Sequence, residues 1–398
     1  MLLDNFIRYV KIDTQSDENS ELTPSTLKQY DLLNVLKEQL EGFGLKPTLD
    51  QYGRLYAKVE GNPSYSRIGL CAHVDTALEC SGKDVKPQVI KNYDGKDIPL
   101  GNSGLFLTRK EFSKLDECLG KTLITTDGTT LLGADDKAGL AIIMDILEKY
   151  LKLDVNNRHG LSILFTPDEE IGRGPEHFNP ELYDCEFAYT FDGADPKYIE
   201  IENFNAKAIN IHIIGKSIHP GSAKGVMVNA GLVLSEFISM LPSNMVPSKT
   251  ELREGFNHLT DFSGTVEEAN AHYILRNHDA DILEKQVHNF YEIAAKLQQI
   301  YPSAKIELTL KDQYRNMKEV IDKKPNCKKH IEQVYNRLGL KFEYFPIRGG
   351  TDGATFSFKG VPCPNLGTGS YNHHGRFEFA VLEEMELLVK IGLETFKI

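Results

Sequence analysis

Residues 166–174, TPDEEIGRG, set three carboxylic acids side by side, Asp168, Glu169 and Glu170, directly behind the apolar run LSILF. Like charges this close repel, so an inward-facing cluster needs a strong cation partner or raised pKa values. The bland alternative is a solvated turn. Acids and histidines recur in similar places: His73 and Asp75 in CAHVD, Asp135 and Asp136 in GADDKAG, Asp192 in FDGAD, and His373 and His374 in NHHG. A lone histidine on an apolar strand is usually a satisfied core residue; the shared placement at element ends is what argues for a site. Histidine and carboxylate are the ligands of zinc or a similar divalent ion, and two such ions about 3.5–4 Å apart, bridged by a carboxylate, make a hydrolytic centre. The charges of two Zn2+ are balanced by Asp135, Glu170, Asp192 and one hydroxide, with neutral imidazoles completing the ligands. Glu169 is then free to deprotonate a water whose pKa the ions bring to about 7. Asp168 is left as a turn residue.

Other chemistries fit less well. Cys71 lies two residues before His73, but the oxygen and nitrogen ligands already suffice. GADDKAG and RGGTDGATF lack the GK[ST] ending of a phosphate loop, and HPGSAKG, around Ser222, lacks the G-x-S-x-G elbow of a serine hydrolase.

These residues need a scaffold, and the runs that precede them supply one. LSILF and RIGLCAHVD read as buried strands, EFAYTFDGAD repeats the scheme, and TLLGADDKAGLAIIMDILEKYL passes from a strand-like run into an apolar helix. Strands alternating with helices predict an α/β sheet with its ligand site at the carboxyl ends of the strands. A helix is expected over 24–41 with Pro24 at its first position, then a hairpin about Gly53. Segment 81–120, rich in Gly, Asn, Lys and Asp, reads as a long irregular excursion of the kind that is functional or mobile. The pattern changes near Phe204. From AKAINIHIIG to AKIELTLK the order is β-α-β-β-α-β, a ferredoxin-like sandwich, so the expected division is 1–204 and 313–398 as one domain with 205–312 inserted.

Composition limits the partners. The chain has 398 residues, 41% of them hydrophobic, enough for two domains. A net charge of -12 argues against nucleic acid and anionic lipid as general partners. The segment MLLDNFIRYVKID holds no signal-peptide core and no apolar stretch approaches a membrane span, so a cytoplasmic protein is expected. The six cysteines form no CxxC pair and read as reduced, structural thiols.

In their order along the chain, CAHVDT, TLLGADDKAG, FTPDEEIGRG, FDG, KSIHPGSAKG, IRGGTDGA and NHHGRFEF resemble the di-zinc exopeptidases and deacylases, a family that includes aminoacylase and glutamate carboxypeptidase. The likeness spans essentially the whole chain. It implies an α/β catalytic domain with a mixed sheet and flanking helices, plus an inserted ferredoxin-like α+β domain that makes a homodimer. It further implies that His73 and Asp192 hold one metal, Glu170 and His374 the other, and Asp135 bridges, with His374 favoured over His373 because it directly precedes the glycine. Asp75 resembles the acid that orients His73, and Glu169 the general base. His219 resembles the histidine that one subunit offers to the scissile carbonyl in its partner's site, and Arg276 and Arg348 resemble arginines that clamp a substrate carboxylate. Aspartate rather than glutamate at position 192 leans towards an aminopeptidase. The resemblance thus implies a zinc-dependent aminopeptidase acting on tripeptides, with Co2+ or Mn2+ as possible substitutes. Segment 81–120 is a candidate for trimming the pocket to that length. A carboxypeptidase or N-acyl amino acid deacylase on the same site is the alternative, and an inactive metal-binding scaffold a third, which has no need of Asp75 and Glu169.

Overall fold

The run IGLCAH forms a strand, Ile68–His73, that is buried at every position, and the strands Leu161–Thr166 and Phe187–Gly193 lie parallel on its two sides. Burial on both faces is why these stretches read as continuous apolar runs instead of alternating ones. In the computed structural model, which describes residues 1–398, they form the centre of an eight-stranded mixed sheet. The hairpin Thr48–Leu49 and Leu55–Val59 closes one edge, turning through Gly53 at φ +77°. Asn365–Gly367, Tyr198–Glu200 and Glu343–Tyr344 extend the other.

The helix Ala134–Tyr150 is buried along most of its length, as its AGLAIIM run requires. The helix expected over 24–41 is shorter: it spans Gln29–Gly42, and residues 24–28 form turns. The cause is tertiary. The Ser25 backbone N–H and hydroxyl and the Gln29 side-chain amide all donate to the buried carboxylate of Asp168, which holds residues 25–28 out of a regular first turn.

Segment 81–120 is folded and not irregular throughout. It contributes Gln88–Ile90 to an antiparallel sheet with Leu123–Thr125, Phe379–Val381 and Ser370–Tyr371, forms a two-stranded pair Ile98–Pro99 and Phe106–Leu107, and buries Tyr93, Ile98, Leu100, Leu107 and Leu115 in a core shared with Leu123, Tyr371, Phe379 and Val381.

The chain divides into two compact units. The first is Met1–Ile201, Met317–Phe345 and Thr351–Ile398; the second is Glu202–Asn316 with Pro346–Gly350. In the second, Asn205–Ile214, Phe256–Gly264, Glu268–Asn277 and Lys305–Tyr314 form one antiparallel sheet, and the helices Ala230–Met240 and Ala280–Ile300 cover one face through Val233, Phe237, Phe290 and Leu297. The spatial order of the four strands, second-third-first-fourth, is that of a ferredoxin-like sandwich. No helix is long and apolar enough to cross a membrane, and all six cysteines are free.

Candidate metal centre

Register brings the first set of residues together. Because His73 pairs with Thr166 at the carboxyl ends of two parallel strands, the chain that leaves each strand enters the same space. Asp75 then ties them: its two oxygens accept the backbone N–H groups of Glu169 and Glu170 at 3.0 and 3.1 Å, and its Oδ1 lies 3.3 Å from His73 Nδ1. One carboxylate thus sets both the imidazole and the acidic turn. Asp168 enters that turn at φ +57°, left-handed backbone that aspartate tolerates better than most residues.

The bridge candidate comes from a different element. Gly133, at φ +75°, starts the helix Ala134–Tyr150, and the backbone leaves helical geometry at Asp135 and Asp136. Asp136 turns inward, accepting the His73 N–H at 3.1 Å and the Gly139 N–H at 3.1 Å. A Cβ on Gly139 would come within 2.3 Å of that carboxylate and 2.2 Å of the Phe191 carbonyl, so this close approach needs glycine. Asp135 points the other way. Its Oδ1 lies 3.0 Å from His73 Nε2, and its Oδ2 lies 3.3 Å from His374 Nε2.

Asp192 Oδ1 is 3.4 Å from His73 Nε2, and Glu170 Oε2 is 3.1 Å from His374 Nε2. Two groups result, His73–Asp135–Asp192 and Asp135–Glu170–His374, each with its ligand atoms within 4.8 Å of one another. Asp135 belongs to both. His373 lies outside both groups, its Nε2 2.8 Å from the Ser370 hydroxyl and its Nδ1 3.5 Å from Asp135 Oδ2.

The electrostatics are those of a site short of positive charge. Burial alone would lower the His73 pKa, yet hydrogen bonds to Asp135, Asp192 and Asp75 carry it well above the usual imidazole value. Hydrogen bonds to Asp135 and Glu170 push His374 up to about 12. Burial would raise Asp135, but His373, His374 and His73 hold it well below the carboxylate range. Burial, with the charge of Asp192 next, raises Glu169 well above its usual value and, with Asp135 next, lifts Glu170 to about 7. Glu170 Oε1 is a buried acceptor without a hydrogen-bond partner. A donor set of imidazole nitrogens and carboxylate oxygens, crowded, desolvated and with one oxygen orphaned, fits a pair of divalent cations.

Several acids around the centre have supporting roles that the sequence does not assign to them. Besides Asp136 and Asp168, Asp352 is buried, with Oδ2 unpartnered, and burial lifts its pKa to about 7. Glu378 is buried against the loop that carries Asp135. All four sit inside the motifs quoted above, but nothing local separates a buried acid from a solvated one.

His219, Arg276 and Arg348 belong to the second unit. His219 is exposed and accepts the Gly221 N–H on Nδ1 at 3.1 Å. Arg276 is buried over the Tyr314 ring and donates through Nη1 to Gln313 Oε1 at 2.8 Å. Arg348 lies over Phe204, and its two Nη groups donate to the carbonyls of Leu252, Glu254 and Thr250.

An α/β unit with histidine–carboxylate clusters sharing one aspartate at its strand ends is the architecture of a metallopeptidase. The chain belongs to peptidase family M20/M25/M40, whose model matches residues 127–397. Peptidase T of Clostridium perfringens is 46% identical to it over 99% of this chain and 98% of that one. Among solved structures, a tripeptidase from Staphylococcus aureus superposes with a TM-score of 0.79 at 24% identity, covering 100% of this chain and 97% of the other. An aminopeptidase PepT from Bacillus cereus gives 0.76 at 19% identity over 99% and 96%.

Proposed function

We propose that this peptidase removes the N-terminal residue from tripeptides at a two-metal centre. The observation that carries this reading is the sharing of Asp135 between two histidine–carboxylate groups whose ligand atoms lie within 4.8 Å. His73 and Asp192 would hold one ion, Glu170 and His374 the other, and Asp135 both. When bound, the ions polarise the scissile carbonyl and acidify the attacking water; zinc suits the donors, and cobalt or manganese could replace it.

The remaining steps belong to the chain. Asp75 keeps the His73 ring and the Glu169–Glu170 turn in register, so that neither reorganises during reaction. Glu169, outside both ligand groups and raised by burial, accepts the proton of the attacking water and returns it to the leaving amine. His219 donates a hydrogen bond to the developing oxyanion in the site of a partner subunit, which makes the homodimer part of the catalyst. Arg276 takes the substrate's terminal carboxylate. Arg348, which the resemblance also assigns to that carboxylate, has its Nη donors on residues 250–254. Six free cysteines suit a reducing cytoplasm.

Mass spectrometry after incubation with free, N-acetylated and C-amidated tripeptides tests the substrate assignment. Release of the first residue from the free peptide, with the acetylated one cut far more slowly, is expected. Equal rates on both would place the enzyme with the deacylases or carboxypeptidases.

A further inference from the structure

Glu378 stands four residues after His374, immediately before the strand Phe379–Val381. That strand pairs antiparallel with Leu123–Thr125, the strand leading into the loop 126–135, so the sheet fixes where Glu378 stands relative to that loop. Its side chain is 1% exposed. Oε2 accepts the backbone N–H groups of Leu132 at 2.8 Å and Gly133 at 2.7 Å, and Oε1 accepts the N–H of Asp135 at 3.0 Å. A single carboxylate therefore satisfies three backbone donors, those of residues 132, 133 and 135, at the irregular start of a helix, the place where such groups are otherwise orphaned. The loop is also tethered by Lys137, whose ammonium donates to the Ile12 carbonyl at 2.7 Å.

We infer that Glu378 is the positioning residue of the bridging aspartate, holding Asp135 in the orientation in which its two oxygens face two different histidines. The inference rests on the two-metal reading. Its physical basis is a cross-connection. Asp75 stands on the His73 segment and holds the turn of Glu170, which belongs to the other ligand group; Glu378 stands on the His374 segment and holds Asp135, which belongs to both. Each backbone clamp joins one half of the centre to the other. With Glu378 in place the Asp135 backbone, which sets where the carboxylate starts, cannot shift towards one ion without stretching a charge-assisted hydrogen bond at its own N–H. Without it, Asp135 can serve one ion fully and the other poorly.

The test is metal binding, read independently of turnover. Metal-free wild type and the Glu378→Gln variant are titrated with Co2+, following the visible spectrum, calorimetric stoichiometry and spin coupling between the two ions by EPR. A glutamine amide keeps one acceptor but presents an N–H to one of the donors now satisfied. We expect the first ion to bind within about threefold of wild type, and the second 10–100-fold more weakly, the range for partners that orient metal ligands. Spin coupling should be reduced. Two ions bound and coupled as in wild type, whatever the loss in melting temperature, would reduce Glu378 to a structural residue and overturn the inference. Fewer than two ions on the wild type would instead overturn the two-metal reading. Should the variant not fold, hydrogen exchange on metal-free wild type decides: the amides of Leu132, Gly133 and Asp135 must be protected, and exchange at unprotected rates would refute a Glu378 clamp that precedes metal.

Discussion

Glu169 and Glu170 share one turn and one anchor, since both backbone N–H groups end on Asp75, yet only Glu170 falls in a ligand group. Glu169 feels the neighbouring charges of Asp192 and Asp352 without joining the histidines. A Glu169→Gln variant should accordingly bind metal with wild-type stoichiometry while kcat falls by roughly 10²–10⁴, the usual weight of a general base. Plasma mass spectrometry and steady-state kinetics on the same preparation check this; a variant that lost an ion would mean that the two glutamates have each other's roles. Residue types at this scale could be read in the sequence, because few other arrangements put His and Asp at the end of one apolar run after another. The supporting acids could not. Asp136 and Glu378 act by accepting N–H groups from residues 63 and 243–246 positions away, and no local pattern records such partners.

At the scale of elements, burial decided what was legible. Ile68–His73, Leu161–Thr166 and Phe187–Gly193 carry their signal in every residue, so their ends, and with them the centre, could be placed. The helix at Gln29 carries a misleading one. Pro24 suits a first helical position, but the acceptor that organises this segment is Asp168, 143 residues from Ser25. Arg173 reinforces the connection, donating to the carbonyls of Ser20 and Leu22. Replacing Asp168 by alanine would strand the Ser25 hydroxyl and N–H and the Gln29 amide in a buried place. Each unmade bond of this kind costs about 1–3 kcal/mol, so a loss of roughly that size or more is expected in urea unfolding. Faster proteolytic cutting between residues 13 and 28 should accompany it. A stability loss without that exposure would mean that Arg173 and the Gln15 bonds to the carbonyls of Ala77 and Cys80 hold the segment by themselves.

Two units make the whole molecule, and every proposed metal ligand lies in the first, while His219 lies in the second. The order β-α-β-β-α-β was legible because each of its elements has its own clear period; that residues 346–350 belong with the second unit was not, since they form no regular element of their own. A histidine on an exposed loop of one unit, proposed to act in a partner's site, would give the molecule a property no single chain has. His219→Ala should fold, dimerise and bind metal normally but lose roughly 10²–10³ in kcat, about 3–4 kcal/mol of oxyanion stabilisation. Mixing separates the two ways this could arise. A dimer of one His219→Ala chain with one Glu169→Gln chain holds one doubly defective site and one intact site if the histidine is donated across the dimer, so activity should return to as much as half the wild-type level. If the histidine serves its own chain's site, each site keeps one defect and mixing restores nothing. Native mass spectrometry would establish that mixed dimers had formed; mixed dimers that remained inactive would remove the dimer from the catalytic machinery and leave His219 to act within its own chain.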